Sequence, residues 1–306
     1  MLTCDAYLMP TSLQEALKIW SEAPEGSRLV AGATDILPWA REGRAGDVHL
    51  PAMIDVSRVA ELNGYSIRNG KVRLGANVVY QQFLEDETLR RHLPCMPSCA
   101  VWFADDQIRQ QATLTGNIVN ASPAGDGLPP VIAMDGEIEM ARLEGGGVAV
   151  RSMPVADFVL GPGRTALQPG EIVTAVTCPS FEGYGGSFQK VGQRRSLVIS
   201  AVCAAALVKT DASGTMFEDV RLALGGVGPV PARLLDIEDR LKGQRITREL
   251  VAEASAAPGE RVASRTRREY RRAVVRGFVE AAIEDALVAC GAPAPTPAQR
   301  EAAAYV

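Results

Sequence analysis

The sequence predicts an α+β protein with more than one hydrophobic core, and three observations carry that reading. The chain has 306 residues, 47% hydrophobic and 22% charged, which is apolar material enough for two or three cores. Helical and strand periodicities alternate through its first half. In its second half, apolar strands alternate with helical stretches.

The elements follow in order. "TSLQEALKIW" sets Ser12 three residues before Glu15, a capping box, and puts Leu13, Ala16, Leu17 and Trp20 on one face of a helix. "SRLVAG" and "AMIDVS" read as strands on either side of the polar "REGRAGD". "KVRLGANV" alternates Val72, Leu74 and Ala76 with Arg73 and Gly75, a half-buried strand. "VYQQFLEDETLRRHL" predicts one surface helix ended by Pro94. The next segment, "CAVWFADDQIRQQATLTGNIVNASPAGDGLPPVIAMDG", is rich in residues that favour neither regular state. It predicts a turn at Thr113–Asn117 and irregular chain through "AGDGLPP".

"EIEMARLEGGGVAV" predicts a hairpin around Gly145, Gly146 and Gly147, and "GEIVTAVTCP" a strand ending at Pro179. The glycine- and aromatic-containing "SFEGYGG" marks a domain boundary. Beyond it come the strands "LVISAVCAAALV" and "VRLALGGVG", helices near Ala232–Lys242 and Thr247–Ala256, and a long helix from about Thr266 to Cys290. That helix carries Tyr270, Val274, Phe278 and Ala281 at helical spacing. The alanine- and proline-rich tail "APAPTPAQREAAAYV" cannot build a core.

Composition excludes several function classes. A net charge of −4 with interspersed signs leaves no footprint for nucleic acid or an anionic membrane. The longest apolar run, Leu197–Val208, falls well short of the roughly 20 residues a spanning helix needs. "MLTCDAYLMP" lacks the features of a secretory signal, so the expected location is cytoplasmic. The 6 cysteines include no CxxC pair and read as reduced, mostly buried thiols. With only 2 histidines, a Ser-His-Asp triad or a multi-histidine metal site has almost no material, which favours a bound cofactor as the source of any chemistry.

Neither a G-x-G-x-x-G fingerprint nor a G-x-x-x-x-G-K loop is present. Two small-residue turns remain, Ala31–Asp35 and Thr113–Asn117. Each follows an apolar segment, and each is either an ordinary turn or a main-chain cradle for a pyrophosphate. Asp126 is either a helix cap or an acceptor for a sugar hydroxyl. Lys190 and Arg194 could meet a phosphate or a carboxylate, or simply be solvated.

The order of "LVAGATDI", "FADDQIRQQATLTGNIVNASPAGD", "GPGRTALQPGEIVTAV" and "FQKVGQRRS" resembles the FAD-binding medium subunit of molybdenum hydroxylases. This is the xanthine dehydrogenase and carbon monoxide dehydrogenase flavoprotein family. The resemblance spans nearly the whole chain, and "GPGRTALQPGEI" is nearer to the purine and N-heterocycle branch. It implies a two-sub-domain FAD domain of the vanillyl-alcohol-oxidase (PCMH) type over residues 1–179, a C-terminal α+β domain over 180–290 and a tail over 291–306.

Carried over residue by residue, it implies that Leu29, Val30, Ala31, Gly32, Ala33, Thr34, Asp35 and Ile36 wrap the FAD pyrophosphate. Phe103 and Ala104 would line the flavin, and Thr113, Leu114, Thr115, Gly116 and Asn117 would form a second phosphate loop. Asp126 would meet a cofactor hydroxyl, Val173 an apolar wall of the ring pocket, and Lys190 would place a positive group near the flavin or its phosphates. No catalytic side chain and no metal ligand is expected in this chain.

The implied partners are a large molybdopterin-binding subunit and a small subunit with two [2Fe–2S] clusters, with NAD or another acceptor taking the electrons. Where the family carries paired small residues, this chain has Ala33 and Thr115. If either position needs a positive φ, Thr115 is the costlier. These departures keep a flavin-free scaffold subunit in view beside the flavoprotein, as well as the corresponding subunit of an aldehyde, carbon monoxide or other heterocycle dehydrogenase. A free-standing flavin oxidase is a further reading, and nothing in the sequence supplies it with a substrate base.

Overall fold

The computed structural model describes residues 1–41, 48–194, 197–263 and 266–292. The polar stretch after Arg41 and nearly all of the tail lie outside the described residues. The chain is α+β, built on three main sheets.

The first sheet is small and parallel, in the order β1 (Leu2–Leu8), β3 (Val48–Asp55), β2 (Arg28–Val30). Helix α1 (Leu13–Glu22) crosses between β1 and β2 and buries Ala16 and Leu17. Ser12 caps it by accepting from the Glu15 amide, while the Glu15 carboxylate reaches back to the Thr11 amide, one residue beyond the usual capping-box partner. Helix α2 (Ile36–Arg41) follows β2 after the turn at Ala31–Asp35.

The second sheet is antiparallel and has five strands. Its members are β4 (Tyr65–Arg68), β5 (Lys71–Gly75), β6 (Glu137–Glu144), β7 (Gly147–Pro154) and β10 (Ile172–Pro179), arranged β4-β5-β10-β6-β7. The β6–β7 hairpin turns at Gly145 and Gly146, both at positive φ, as the glycine triplet predicts. A two-stranded ribbon, β8 (Val159–Gly161) with β9 (Arg164–Thr165), precedes β10.

Between β5 and β6 lies a helical layer where the sequence predicts one helix and an irregular segment. The single helix is split into α3 (Gln82–Glu85) and α4 (Glu87–His92), because Asp86 leaves the helical conformation and caps α4 with bonds from the Thr88 and Leu89 amides. The low-propensity segment folds into α5 (Met96–Trp102), α6 (Asp106–Arg109), α7 (Leu114–Val119) and α8 (Leu128–Ala133). Prolines do not prevent α8, since Pro129 and Pro130 stand in its first turn, where the missing N–H is no loss. Helix α9 (Val155–Phe158) closes the layer beyond β7.

The third sheet runs β11 (Gly185–Val191), β12 (Val202–Thr210), β13 (Phe217–Gly225), β14 (Ala232–Arg233), all antiparallel. Ala232 and Arg233 therefore belong to a strand, and helix α10 begins only at Leu235 (Leu235–Leu241). Helices α11 (Arg248–Ala256) and α12 (Arg268–Ala289) follow. The α12 face that enters the core is Val275, Val279, Ala282, Ile283, Ala286 and Leu287, next to the predicted stripe, and Tyr270 is exposed.

This sheet is buried on both faces, which is why β12 reads as an unbroken apolar run. Cys203, Ala205 and Leu207 join the core shared with the helical layer between β5 and β6. Val202, Ala204, Ala206 and Val208 pack against α10, α11 and α12. Two glycines of the "SFEGYGG" segment let the chain pack closely on both sides. A β-carbon on Gly185 would lie 1.9 Å from the Ala286 carbonyl oxygen of α12, and one on Gly186 would lie 2.3 Å from the Pro94 carbonyl carbon. Of the six cysteines, four are buried and two partly buried, all as free thiols.

Gly186→Val forces a backbone separation at the seam between β11 and the start of α5. It should lower the unfolding free energy by about 2 kcal/mol or more, read from the midpoint of chemical denaturation.

Candidate functional site

The first turn grows out of β2. Val30 is held in register with Asp55, and the chain then bends through Ala31–Asp35 into α2. Ala33 sits at φ 53°, the left-handed region, so it is the Ala33 departure that carries backbone strain. Among the described residues, the amides of Gly32, Ala33, Thr34, Asp35 and Ile36 meet no protein acceptor. Successive unpartnered N–H groups around a left-handed residue form an anion-binding concavity.

The second segment is helical at its start rather than a turn. Thr113 caps α7, its Oγ1 accepting from the Gly116 amide at 2.9 Å. The Leu114 amide donates to the Val78 carbonyl and the Asn117 amide to the Thr113 carbonyl. Thr115 lies within α7 and has no positive φ, so its β-branch costs nothing special there. Of the four amides from Leu114 to Asn117, this segment leaves only that of Thr115 without a protein acceptor among the described residues.

The two segments meet through one glycine. A β-carbon on Gly32 would fall 1.9 Å from the Gln111 carbonyl oxygen, so the first turn rests on the chain entering α7. From α7 the contacts continue: the Asn117 side-chain carbonyl accepts from the Gly127 amide at 3.0 Å, beside Asp126. Asp126 and Lys190 form a buried ion pair at 2.6 Å, and the Ser200 hydroxyl donates to the second carboxylate oxygen at 2.6 Å. Burial pushes the Asp126 carboxyl above the usual range, opposed by the Lys190 ammonium and the Ser200 hydroxyl.

Lys190 Nζ also approaches the Trp102 carbonyl at 3.4 Å, next to Phe103. Phe103 ends α5, its carbonyl accepting from Arg109 at 2.9 Å, and Ala104 follows at φ 46°. Val173 is buried in the same core as Leu114, at a bulge of β10 against which α7 packs.

The structure thus gathers the sequence-predicted residues into one continuous line, from Gly32 through α7 to Asp126, Lys190 and Phe103. Arg194 is not in it, since its guanidinium binds the Leu197 carbonyl. Lys190 is not a solvated surface group, and its charge is balanced by Asp126, so the pair presents an oriented dipole and N–H donors rather than a net cation. Sequence reasoning misses Ser200 and Gln111. Ser200, a polar break in an apolar run, was the one visible signal.

Residues 3–181 match the FAD binding domain in molybdopterin dehydrogenase, and residues 187–286 match the CO dehydrogenase flavoprotein C-terminal domain. The chain belongs to this family of FAD-binding subunits of molybdenum-dependent oxidoreductases.

Among its relatives, the putative xanthine dehydrogenase FAD-binding subunit of Escherichia coli is 28% identical over 94% of this chain and 97% of its own. The glyceraldehyde dehydrogenase medium chain of Sulfolobus acidocaldarius is 29% identical over 89% and 94%. The carbon monoxide dehydrogenase medium chain of Hydrogenophaga pseudoflava is 28% identical over 93% and 97%. In fold, the chain superposes on a structure of carbon monoxide dehydrogenase from Hydrogenophaga pseudoflava with a TM-score of 0.83 at 24% identity, covering 93% of this chain and 98% of that one. No helix among the described residues is long and apolar enough to cross a membrane.

Two outcomes test the geometry. Lys190→Met or Asp126→Leu alone leaves a buried charge unpaired and should cost about 3–5 kcal/mol of stability, whereas the double variant Lys190→Met/Asp126→Leu should recover much of it, as a double-mutant cycle in denaturant would show. Ala33→Gly should keep or raise stability by up to about 1 kcal/mol, and Ala33→Val should lower it, because a β-branched residue is poorly accommodated at a left-handed position.

Proposed function

We propose that this chain holds FAD as the electron-transferring medium subunit of a heterotrimeric molybdenum hydroxylase of the xanthine dehydrogenase kind. Its partners would be a large molybdopterin-binding subunit and a small subunit carrying two [2Fe–2S] clusters. The complex would hydroxylate a purine or another N-heterocycle and pass electrons to NAD or another acceptor. The observation that carries the FAD site is the run of unpartnered amides from Gly32 to Ile36, locked against α7 by the Gly32–Gln111 contact.

A pyrophosphate set on those amides would gain charge-assisted hydrogen bonds without displacing any protein bond. The α7 segment would contribute the Thr115 amide and hold the first turn in place. Asp126 and Lys190 would meet the middle of the cofactor, with Nζ–H as donor and the carboxylate as acceptor. Phe103 would lie along the flavin ring and Val173 would wall the pocket. A bound flavin accepts electrons singly and releases them in pairs, and the protein's part is position and electrostatics. The purine reading rests on "GPGRTALQPGEI", which forms the β8–β9 ribbon and the turn after it; Gly163 of that ribbon donates to the Ala121 carbonyl just beyond α7.

The chain purified from its complex should carry one FAD. A colourless protein that takes up no added FAD would support the flavin-free scaffold instead. The assembled complex should turn over hypoxanthine with NAD, and turnover of an aldehyde, carbon monoxide or another heterocycle in its place would reassign the substrate. Gly32→Val is an unsuitable probe of the cradle, since its side chain would strike the Gln111 backbone before any ligand arrives.

A further inference from the structure

Tyr80 is not among the residues assigned above, yet it stacks on one of them, Phe103, and reaches the Gly127 backbone beside another, Asp126. Its ring lies parallel to that of Phe103, with centroids 3.8 Å apart and planes 3° apart, and meets Phe83 edge-on at 6.3 Å. Its amide donates to the Ala112 carbonyl, one residue beyond the Gln111 carbonyl on which Gly32 rests. Its hydroxyl abuts Gly127, where a β-carbon would lie 2.3 Å from Tyr80 Oη and 2.7 Å from Leu114 Cδ1. The side chain is fully buried, and its hydroxyl has no hydrogen-bond partner among the described residues.

A phenol whose hydroxyl bonds nothing contributes through its ring. The stack is also unusual, because free aromatic pairs prefer offset or edge-on arrangements with centroids roughly 4.5–7 Å apart. A parallel pair at 3.8 Å is nearly eclipsed, so the surrounding packing imposes it. Phe103 is only partly buried, and one of its faces is taken by Tyr80.

We propose that Tyr80 is a positioning residue for the flavin, acting through Phe103: it backs one face of the Phe103 ring and so fixes the height and tilt at which the other face meets the cofactor. This rests on the reading of Phe103 as a flavin-lining residue. Tyr80 also spaces Phe103 from the Asp126–Gly127 corner, so two contacts with the cofactor share one rigid spacer.

The test uses the assembled protein with Tyr80→Phe, Tyr80→Leu, Phe103→Ala and the double variant Tyr80→Leu/Phe103→Ala. The readouts are FAD affinity and the visible circular dichroism of the bound flavin. Tyr80→Phe keeps the ring and should match the unmodified protein in both. Tyr80→Leu should alter the flavin dichroism and weaken FAD by about fivefold, the order of one aromatic contact. In the Phe103→Ala background it should add nothing. Tyr80→Met, which keeps more of the volume, gives the same comparison if Tyr80→Leu yields too little folded protein.

An unchanged dichroism in Tyr80→Leu beside a changed one in Phe103→Ala overturns the proposal alone. So does a Tyr80→Leu effect that persists in full without the Phe103 ring. No change in Phe103→Ala overturns the flavin-lining reading, and the proposal falls with it.

Discussion

The ion pair between Asp126 and Lys190 is the constraint around which the molecule is organised. Its acid comes from the loop between α7 and α8, and its base from β11, 64 residues later. Taking both charges out of water is expensive unless they meet at close range with their remaining bonding capacity filled. The structure goes part of the way with a 2.6 Å contact, the Ser200 hydroxyl and the Trp102 carbonyl, which leaves one Nζ–H and further carboxylate lone pairs over. Any separation of the third sheet from the helical layer would strand both charges in an apolar seam. The pair thus ties the position of Phe103, next to Trp102, to that of the C-terminal sheet.

Close approach of main chains supplies what the ion pair cannot. Gly32 lies on Gln111, Gly185 on α12 and Gly186 on Pro94, each at a distance that leaves no room for a methyl group. Gly225 and Gly226 continue the theme at the end of β13, where added β-carbons would strike Cys203 Sγ at 2.7 Å and the Ala201 carbonyl oxygen at 2.4 Å. The Gly226 amide donates to the Pro123 carbonyl, which joins that strand end to the loop bearing Asp126. Small residues therefore set the spacing of the layers, and the spacing lets a buried charge pair form with good geometry.

Elements whose cause is local were legible in the sequence. α1 follows from its cap and stripe, and the β6–β7 hairpin from three glycines. The element boundaries that sequence reasoning missed depend on competing local choices or on tertiary partners. Asp86 could have stayed helical but caps α4 instead, and the prolines of α8 suit a first turn only once the register is known. On α12 the buried face includes the predicted Ala281 but centres on Val275 and Val279, one position from the predicted Val274 and Phe278, because the elements packed against the helix, β11, β12 and α11 among them, set which side is covered. For the candidate site, the sequence singles out the two segments, Asp126 and Lys190 as candidates, but it does not show that the second segment is helical or that Asp126 and Lys190 bond each other. Which amides remain unpartnered was invisible, since that is decided by acceptors such as the Val78 carbonyl, far away in sequence.

That accounting divides the labour between the two turns. The α7 segment, though it reads as a phosphate loop, spends three of its four amides on its own cap and on Val78 and becomes rigid by doing so. The Gly32–Ile36 turn spends none, and it holds Ala33 in a conformation an alanine avoids. A strained turn full of unpartnered donors would relax if it stood alone. It does not stand alone, because Gly32 is pressed onto the chain that α7 makes stiff, so one segment's satisfied hydrogen bonds preserve the other's unsatisfied ones. Conserving donors in this way is what a binding cradle requires, since each amide left free by the protein is one that a phosphate can claim without breaking a bond first.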